Sequence, residues 1–326
     1  MAGELWLAQW EAAKEVAYGT AVASTRQMYF RPGSYLGVEY EPRLHKAARG
    51  TRENVVNLTL GPEKPAGQVI LPVSAEILEL LEIGIQGDVA AVGAGTTKTW
   101  TFKPSATLNS GTFRGHDGAR PWRMDGVYAG KLNFKGSVEG ENLLTADLFG
   151  QNLAQEALTG GLTARVPAVF EGWEAKLYID AFAAAPGGTN IAAFLLDWDV
   201  AIDNAPQRHF TADNTQSMSS ATLGEIGVEA TLTVLASAAQ ALTEFNNWKA
   251  ATKRVVRLEF GGNTLIGAGP DTEKITLDLA GGWTAVDLNQ ESNGVRAYQL
   301  KFAGVYDPTN IFSLQIIATT ARATVW

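Results

Sequence analysis

The chain contains no cysteine, and this absence excludes disulfide bonds and thiolate metal sites from its 326 residues. Charged residues are also scarce: Asp, Glu, Lys and Arg make up 18% of the sequence, against about a quarter in an average soluble protein. The low charge fits either a surface used for contacts or a β-rich protein with many Thr, Asn and Gly residues. No apolar run reaches the ~18 residues of a membrane-spanning helix, and the first residues lack the pattern of a signal peptide. We therefore expect no membrane insertion.

The net charge of −8 is unevenly distributed along the chain. Residues 1–160 carry 15 basic and 17 acidic side chains, whereas residues 161–326 carry 11 and 17. An acidic balance argues against a protein that grips nucleic-acid phosphates, because like charges repel. The same repulsion would help DNA to slide past a surface without sticking to it.

No motif indicates catalysis or a cofactor. The histidines, His45, His116 and His209, are scattered and have no cysteine partners for a zinc site. Glycine-rich segments at 93–97 and 126–131 lack the further glycine and the hydroxyl residue of nucleotide-binding loops. Two glycosidase carboxylates could be remote in sequence, but nothing indicates such a pair. We expect no enzyme, no cofactor and no metal.

The clearest positive feature is an internal repeat with an offset of about 150 to 164 residues. The spacing Pro-x-x-His occurs at Pro42 and again at Pro206, and helix patterns begin at Ser74 and Ser237. The matched segments are 27–30 with 176–179, 36–41 with 195–199, 42–45 with 206–209, and 99–103 with 255–260. Such a period fits one whole domain rather than a solenoid repeat.

Alternation of apolar and polar residues predicts half-buried strands through most of the chain. Apolar stripes over 75–82 and 238–251 predict one helix in each half. Polar stretches at 42–56 and 204–222 predict long inter-strand loops, and their equivalent positions favour a functional use. The sequence thus predicts a mainly β fold with two tandem β-sandwich domains, each flanked by one α-helix. The expected segments are an N-terminal arm (1–25), a first β domain (26–160) and a second β domain (161–326).

Candidate assembly contacts lie in the arm and in the two polar stretches. The aromatic residues Trp6, Trp10 and Tyr18 would either pack on the chain's own body or reach a neighbour. Basic side chains of the first stretch could meet an acidic patch on a neighbour, or could form an ordinary solvated loop. The candidates in the two stretches are Arg43, His45, Lys46, Arg49, Arg52, Arg208 and His209.

The segment from Glu15 to Ala23, Glu-Val-Ala-Tyr-Gly-Thr-Ala-Val-Ala, resembles the opening of many tail tube proteins of long, non-contractile-tailed bacteriophages. The order of elements and the ending from Tyr298 to Asp307 are also similar to that family. The resemblance implies tail-tube-type β-sandwich domains whose inner strands join those of neighbouring subunits into a barrel. Single-domain members form stacked six-part rings, so a duplicated member implies rings of three chains with pseudo-sixfold symmetry.

The resemblance further implies a structural virion protein of the phage tail, assembled in the cytoplasm of the host bacterium. Its implied partners are copies of itself, other tail proteins at the tube ends, and phage DNA that passes an acidic-walled channel without specific binding. One alternative is a ring or tube component of a phage baseplate or of an injection or secretion machine. A less favoured alternative is a two-domain carbohydrate-binding or hydrolytic β-protein. The state of assembly separates these classes.

Overall fold

The protein folds mainly into β-strands, as the sequence predicts. The computed structural model describes residues 8–49, 52–116, 120–163, 167–212, 214–237, 239–292 and 294–326. Strands account for 54% of the residues and helices for 8%. The strands are β1 (Gln9–Lys14), β2 (Arg26–Met28), β3 (Tyr35–Lys46), β4 (Val55–Pro72), β5 (Lys98–Phe102), β6 (Gly111–His116), β7 (Pro121–Ser137), β8 (Leu143–Phe149), β9 (Asn152–Gln155), β10 (Lys176–Ala181), β11 (Leu195–Asp203), β12 (Gln207–His209), β13 (Ser220–Thr222), β14 (Gly227–Leu235), β15 (Lys253–Leu265), β16 (Thr272–Ser292), β17 (Val295–Gly304) and β18 (Leu314–Thr320). The helices are α1 (Leu78–Gly84), which follows a 3-10 turn at Ala75–Ile77, and α2 (Ala239–Lys249).

Among the described residues, sixteen strands belong to one antiparallel sheet, and β12 and β13 form a separate hairpin. The two halves of the chain meet within the large sheet, because β11 pairs with β7 along Asp197–Asp203. Helix α1 packs on β7 and helix α2 packs on β16. Each helix therefore lies on the sheet at the long central strand of its own half.

Strand pairing is duplicated along the chain. In the first half the pairing order is β3-β4-β8-β7, and β7 continues to β6 and then to β1. In the second half the order is β11-β14-β17-β16, and β16 continues to β15 and then to β10. The long central strands each carry one further partner, β9 on β7 and β18 on β16. The internal repeat is therefore a repeat of topology.

The registers align the two halves residue by residue. Val38 of β3 lies opposite Pro65, as Ile202 of β11 lies opposite Val228, which gives an offset of 164 residues for the first strand of each set. The same offset joins the two histidines of the Pro-x-x-His segments. The imidazole Nε2 of His45 lies 2.8 Å from the hydroxyl of Thr59, and His209 Nε2 lies 2.8 Å from that of Thr222. The two hairpins that carry these pairs are thus structural equivalents.

The two long loops expected from the sequence are shorter than predicted. Strand β3 runs to Lys46 and β4 begins at Val55, so residues 42–46 and 55–56 belong to the strands of a β-hairpin. The stretch 204–222 likewise contains β12 and β13. A two-stranded ribbon can expose both faces to water, so its sequence can be polar throughout while its backbone is paired. The polarity of these stretches marked exposure and not the absence of strands.

The expected N-terminal arm contains a strand of the sheet. Strand β1 pairs with β6 on one side and with β2 on the other, and its central residues are buried. Of the two alternatives for the arm, packing on the chain's own body is the one found for Gln9–Lys14. A strand buried on both faces shows no alternation of polar and apolar residues, which is why periodicity does not reveal it.

Candidate assembly surfaces

The union of the two halves creates a continuous run of strands in the order β3-β4-β8-β7-β11-β14-β17-β16. Alternate residues of this run point into the core, and the others form a polar face, which we call the wall. Acidic residues on the wall are Glu39, Asp147, Asp197, Asp199, Asp203, Glu229 and Asp287, and basic residues are Lys64, Lys131, Lys135 and Lys301. The wall is therefore negative overall, and its acidic excess lies in the second half.

Charges on the wall are only partly neutralised. Lys135 Nζ lies 3.8 Å from a carboxylate oxygen of Asp199, and the two side chains are 71% and 40% exposed. Partial burial, with a smaller contribution from Glu139, raises the pKa of Asp197 above its usual range. Lys135, Asp197 and Asp199 border a depression of about 530 Å³ on the wall. The surface is suited to weak, screened contacts with a polyanion and not to tight binding of it.

The junction between the halves, which we define as the pairing of β7 with β11, has an apolar inner face. Val200 lies opposite Phe134 and Ile202 lies opposite Leu132, and all four side chains are fully buried. On the wall side, Asp199 lies opposite Lys135. The halves are joined by strand hydrogen bonds, by burial of apolar side chains and by opposite charges on the wall.

The two ends of the strand run are formed by β3 and β16, the equivalents of the junction strands β11 and β7. Among the described residues, β3 pairs only with β4, and the second part of β16, beyond Trp283, pairs only with β17. Leu36 and Val38 of β3 are the equivalents of Val200 and Ile202. Val286 of β16 is the equivalent of Leu132 at an offset of 154 residues, because the register shift between Trp283 and Ala285 repeats the one between Ala129 and Lys131. Unlike those buried residues, Leu36, Val38 and Val286 are partly exposed. We call these two edges the free edges.

Sequence reasoning missed the free-edge residues. Leu36, Val38 and Val286 have the apolar character and the spacing of core residues, so the sequence alone gives no reason to separate them from the core. The signal that could have identified them is the comparison of repeats at the correct register, because their equivalents occupy a junction between halves.

The first hairpin, which we define as residues 41–60, carries five of the ten predicted contact residues. Every described side chain of this hairpin is exposed, including apolar ones such as Leu44, at 59%, and Leu58, at 57%. The predicted contact residues that the structure brings together here are Arg43, His45, Lys46, Arg49 and Arg52. An exposed hairpin with apolar and basic side chains is suited to contact another protein surface.

The second hairpin, residues 206–222, is used within the chain. The Arg208 guanidinium donates a hydrogen bond of 2.7 Å to the carbonyl of Pro65, and it lies over the ring of Phe149. Burial lowers the pKa of Arg208 below its usual range. His209 is exposed and contacts Thr222. Arg208 therefore joins the two halves and is not available as an outward contact.

The predicted aromatic contacts of the arm have different positions. Trp6 lies outside the described residues. Trp10 is only 5% exposed and packs edge-on against Phe30, so it contributes to the chain's own core. The Tyr18 ring stacks on Tyr128 with centroids 5.5 Å apart, and burial raises the pKa of the Tyr18 hydroxyl.

The segment that resembles the family's opening forms a compact turn around a buried carboxylate. Glu15, at 5% exposure, accepts hydrogen bonds from the backbone N–H of Gly19 at 2.9 Å and of Gly126 at 2.8 Å. Its two oxygens also accept from the hydroxyls of Ser110 and Thr112. The four bonds satisfy the buried charge and fix the turn against β6 and β7.

A scan against protein-family models and a search of the curated proteins found no match for this sequence. Within the described ranges, no group of three or more His, Asp and Glu side chains could hold a metal ion. No helix in the described part of the chain is long and apolar enough to cross a membrane.

Proposed function

We propose that this protein is a structural subunit that closes into rings of three copies, and that the rings stack into a tube of the phage-tail type. The observation that carries the proposal is the β7–β11 junction. In it, one half of the chain binds the next through strand pairing. At the two ends of the same strand run, the equivalent edges of β3 and β16 have no partner strand among the described residues. Each half then corresponds to one tail-tube-type sandwich domain with its helix, and three chains supply six such domains.

The junction within the chain specifies how two copies would pair. In the junction, Ile202 lies opposite Leu132. If the free edges pair in the same register, Val38, the equivalent of Ile202, lies opposite Val286 of the next copy, the equivalent of Leu132. Glu39 would lie opposite Ala285 by the same rule. Edge-to-edge pairing hides unpaired backbone groups and buries the partly exposed apolar residues of both edges. Repetition around a threefold axis would close the strand run and pair both free edges of every copy.

The remaining surfaces support a tube. With the wall on the inner surface, a net negative channel would repel DNA phosphates and let the genome slide through. The first hairpin, which is basic and exposed, would contact an acidic patch on the next ring. Such a contact weakens with added salt, because the Debye length falls from about 10 Å at 0.1 M to about 3 Å at 1 M.

Electron microscopy and mass measurement of the purified chain test the proposal. We expect rings with the mass of three chains, together with stacks or filaments that shorten as salt is raised. A strictly monomeric chain at high concentration, combined with sugar binding or hydrolysis, would contradict the proposal and favour a carbohydrate-directed β-protein. Rings that never stack would favour the alternative of a single ring in a baseplate or an injection machine.

A further inference from the structure

Helix α1 is covered by residues from the other half of the chain. Its side chain Glu79 is fully buried and is bound by Arg322, whose Nη1 lies 3.1 Å from one carboxylate oxygen. Glu82, 3% exposed, accepts a hydrogen bond of 2.7 Å from the indole N–H of Trp326. Residues 322–326 follow β18 of the second half. Arg26 and Asn109 of the first half also contact these two carboxylates. The end of the chain then covers this helix from the half that joins it across the β7–β11 junction.

Among the described residues, none covers the equivalent face of helix α2 as residues 322–326 cover α1. The offset of 163 residues that aligns β4 with β14 also aligns Ser74 with Ser237. By the same offset Leu78 corresponds to Ala241, and both side chains are fully buried. The same offset places Glu79 at Leu242 and Glu82 at Phe245. Leu242 is 62% exposed and Phe245 is half-buried.

The uncovered face of α2 is apolar, whereas the covered face of α1 is acidic. Leu242 lies beside Phe245, whose ring contacts Trp248 at 5.7 Å between centroids and lies 5.6 Å from the ammonium of Lys249. Excluding water from an apolar surface lowers the free energy. The face of α2 formed by Leu242 and Phe245 has no carboxylate that an arginine could bind. Its cover must therefore be apolar and must differ from residues 322–326.

We propose that Leu242 and Phe245 of helix α2 form a docking surface for the first half of a second copy of this chain. This inference rests on the proposed ring, because α2 packs on β16, the strand that presents a free edge. The half that pairs with that edge would cover α2, as the second half covers α1. The two kinds of junction in the ring would share strand pairing but differ at the helix: one is ionic and the other is apolar.

Thiol labelling tests the inference, since the natural chain has no cysteine. In Leu242→Cys, the rate of maleimide labelling would be measured on separated monomers and on unstacked rings. We expect the single thiol to react at least about tenfold more slowly in rings, because a covered side chain reacts only when the contact opens. The matched control is Thr243→Cys, an exposed neighbour that points about 100° further around the helix; its thiol should be slowed less than the one at 242.

The possible results separate the inference from the proposed function. Rings in which the thiol at 242 reacts as fast as in monomers would overturn the inference and leave the ring proposal intact. Protection that occurs only in stacked filaments would also overturn it, because the cover would then come from another ring. A chain that stays monomeric would overturn both. A second variant, Leu242→Asp, should lower the ring population at least about tenfold while the monomer keeps its thermal midpoint, because hot-spot truncations in buried interfaces commonly have effects of this size.

Discussion

A lysine in place of Val286 should stop the chain from forming rings while leaving the monomer folded. Val286 is partly exposed at the free edge of β16, so the monomer can keep a lysine ammonium in water. In a closed ring the residue would take the position that Leu132 occupies in the β7–β11 junction, where exposure is zero. An unpaired charge buried there costs about 3 kcal/mol, and this lowers the association constant of each junction about 150-fold. Three junctions in one ring compound the loss, and sedimentation over a range of concentrations would measure it.

The control for this substitution is Val92→Lys, which places the same charge at a side chain that is 73% exposed and outside both free edges. That variant should assemble like the natural chain. Circular dichroism and the thermal midpoint would show that both variants are folded. Rings of Val286→Lys at an unchanged concentration threshold would contradict the assignment of β16 as an assembly edge.

Replacing Arg322 with alanine should lower the free energy of unfolding by about 3 kcal/mol, the lower end of the usual cost of breaking a buried ion pair from one side. The lower end applies because Arg26 Nε still lies 3.1 Å from Glu79. The Arg322 side chain is 5% exposed and binds Glu79, whose side chain is completely buried, as well as the carbonyl of Ala75. Burial alone would lower the pKa of Arg322, but the carboxylates of Glu79 and Glu76 raise it, so the guanidinium stays charged. The contact ties the end of the chain to helix α1. Urea titration followed by tryptophan fluorescence would measure the change.

Two further variants sharpen this prediction. Arg322→Lys keeps the charge but loses the planar fork of donors, so it should recover only part of the lost stability. Arg296→Ala removes an exposed arginine from β17 and should change stability by no more than about 0.5 kcal/mol. An Arg322→Ala protein that unfolds at the urea concentration of the natural chain would contradict the assignment of this ion pair as a stabilising contact.

Local patterns in the sequence predicted individual elements well. The stripe over 75–82 corresponds to the 3-10 turn at Ala75–Ile77 and to α1, and the stripe over 238–251 corresponds to α2. The Pro-x-x-His spacing marks two equivalent hairpins with the same His–Thr contact. These features depend on residues close in sequence, where periodicity reports directly on the face that is buried.

Strand partners were harder to predict, because alternation identifies a strand but not its neighbour. The segment 99–103 was matched with 255–260, yet the pairing makes β15 the equivalent of β6, while β5 pairs with β18 of the other half. The segment starting at Leu36 was matched with one starting at Leu195, although the registers align Leu36 with Val200. Both of these incorrect matches preserve the alternation of apolar and polar residues. Only the hydrogen-bonded registers distinguish them from the correct alignment.

Residue type alone did not decide which candidate contacts face outward. Arg43 and Lys46 are exposed on the first hairpin, as expected of contact residues, and their role in stacking remains a prediction. Trp10 and Arg208 are enclosed by the chain, because β1 is buried on both faces and the second hairpin folds onto Pro65. These outcomes depend on contacts between distant segments, which no local pattern contains.

The measurement that tests ring closure most directly is disulfide formation between Val38→Cys and Val286→Cys in one chain. Residues directly opposite each other on antiparallel strands have Cα atoms about 4.5–5.5 Å apart, within the range that a disulfide spans. We expect oxidation to give reducible species of two and then three linked chains, with none larger. The pair Val38→Cys and Ala285→Cys should link far more slowly, because neighbouring residues of a strand point to opposite faces. Absence of linked chains in the first pair, or a ladder that continues past three, would contradict the proposed ring.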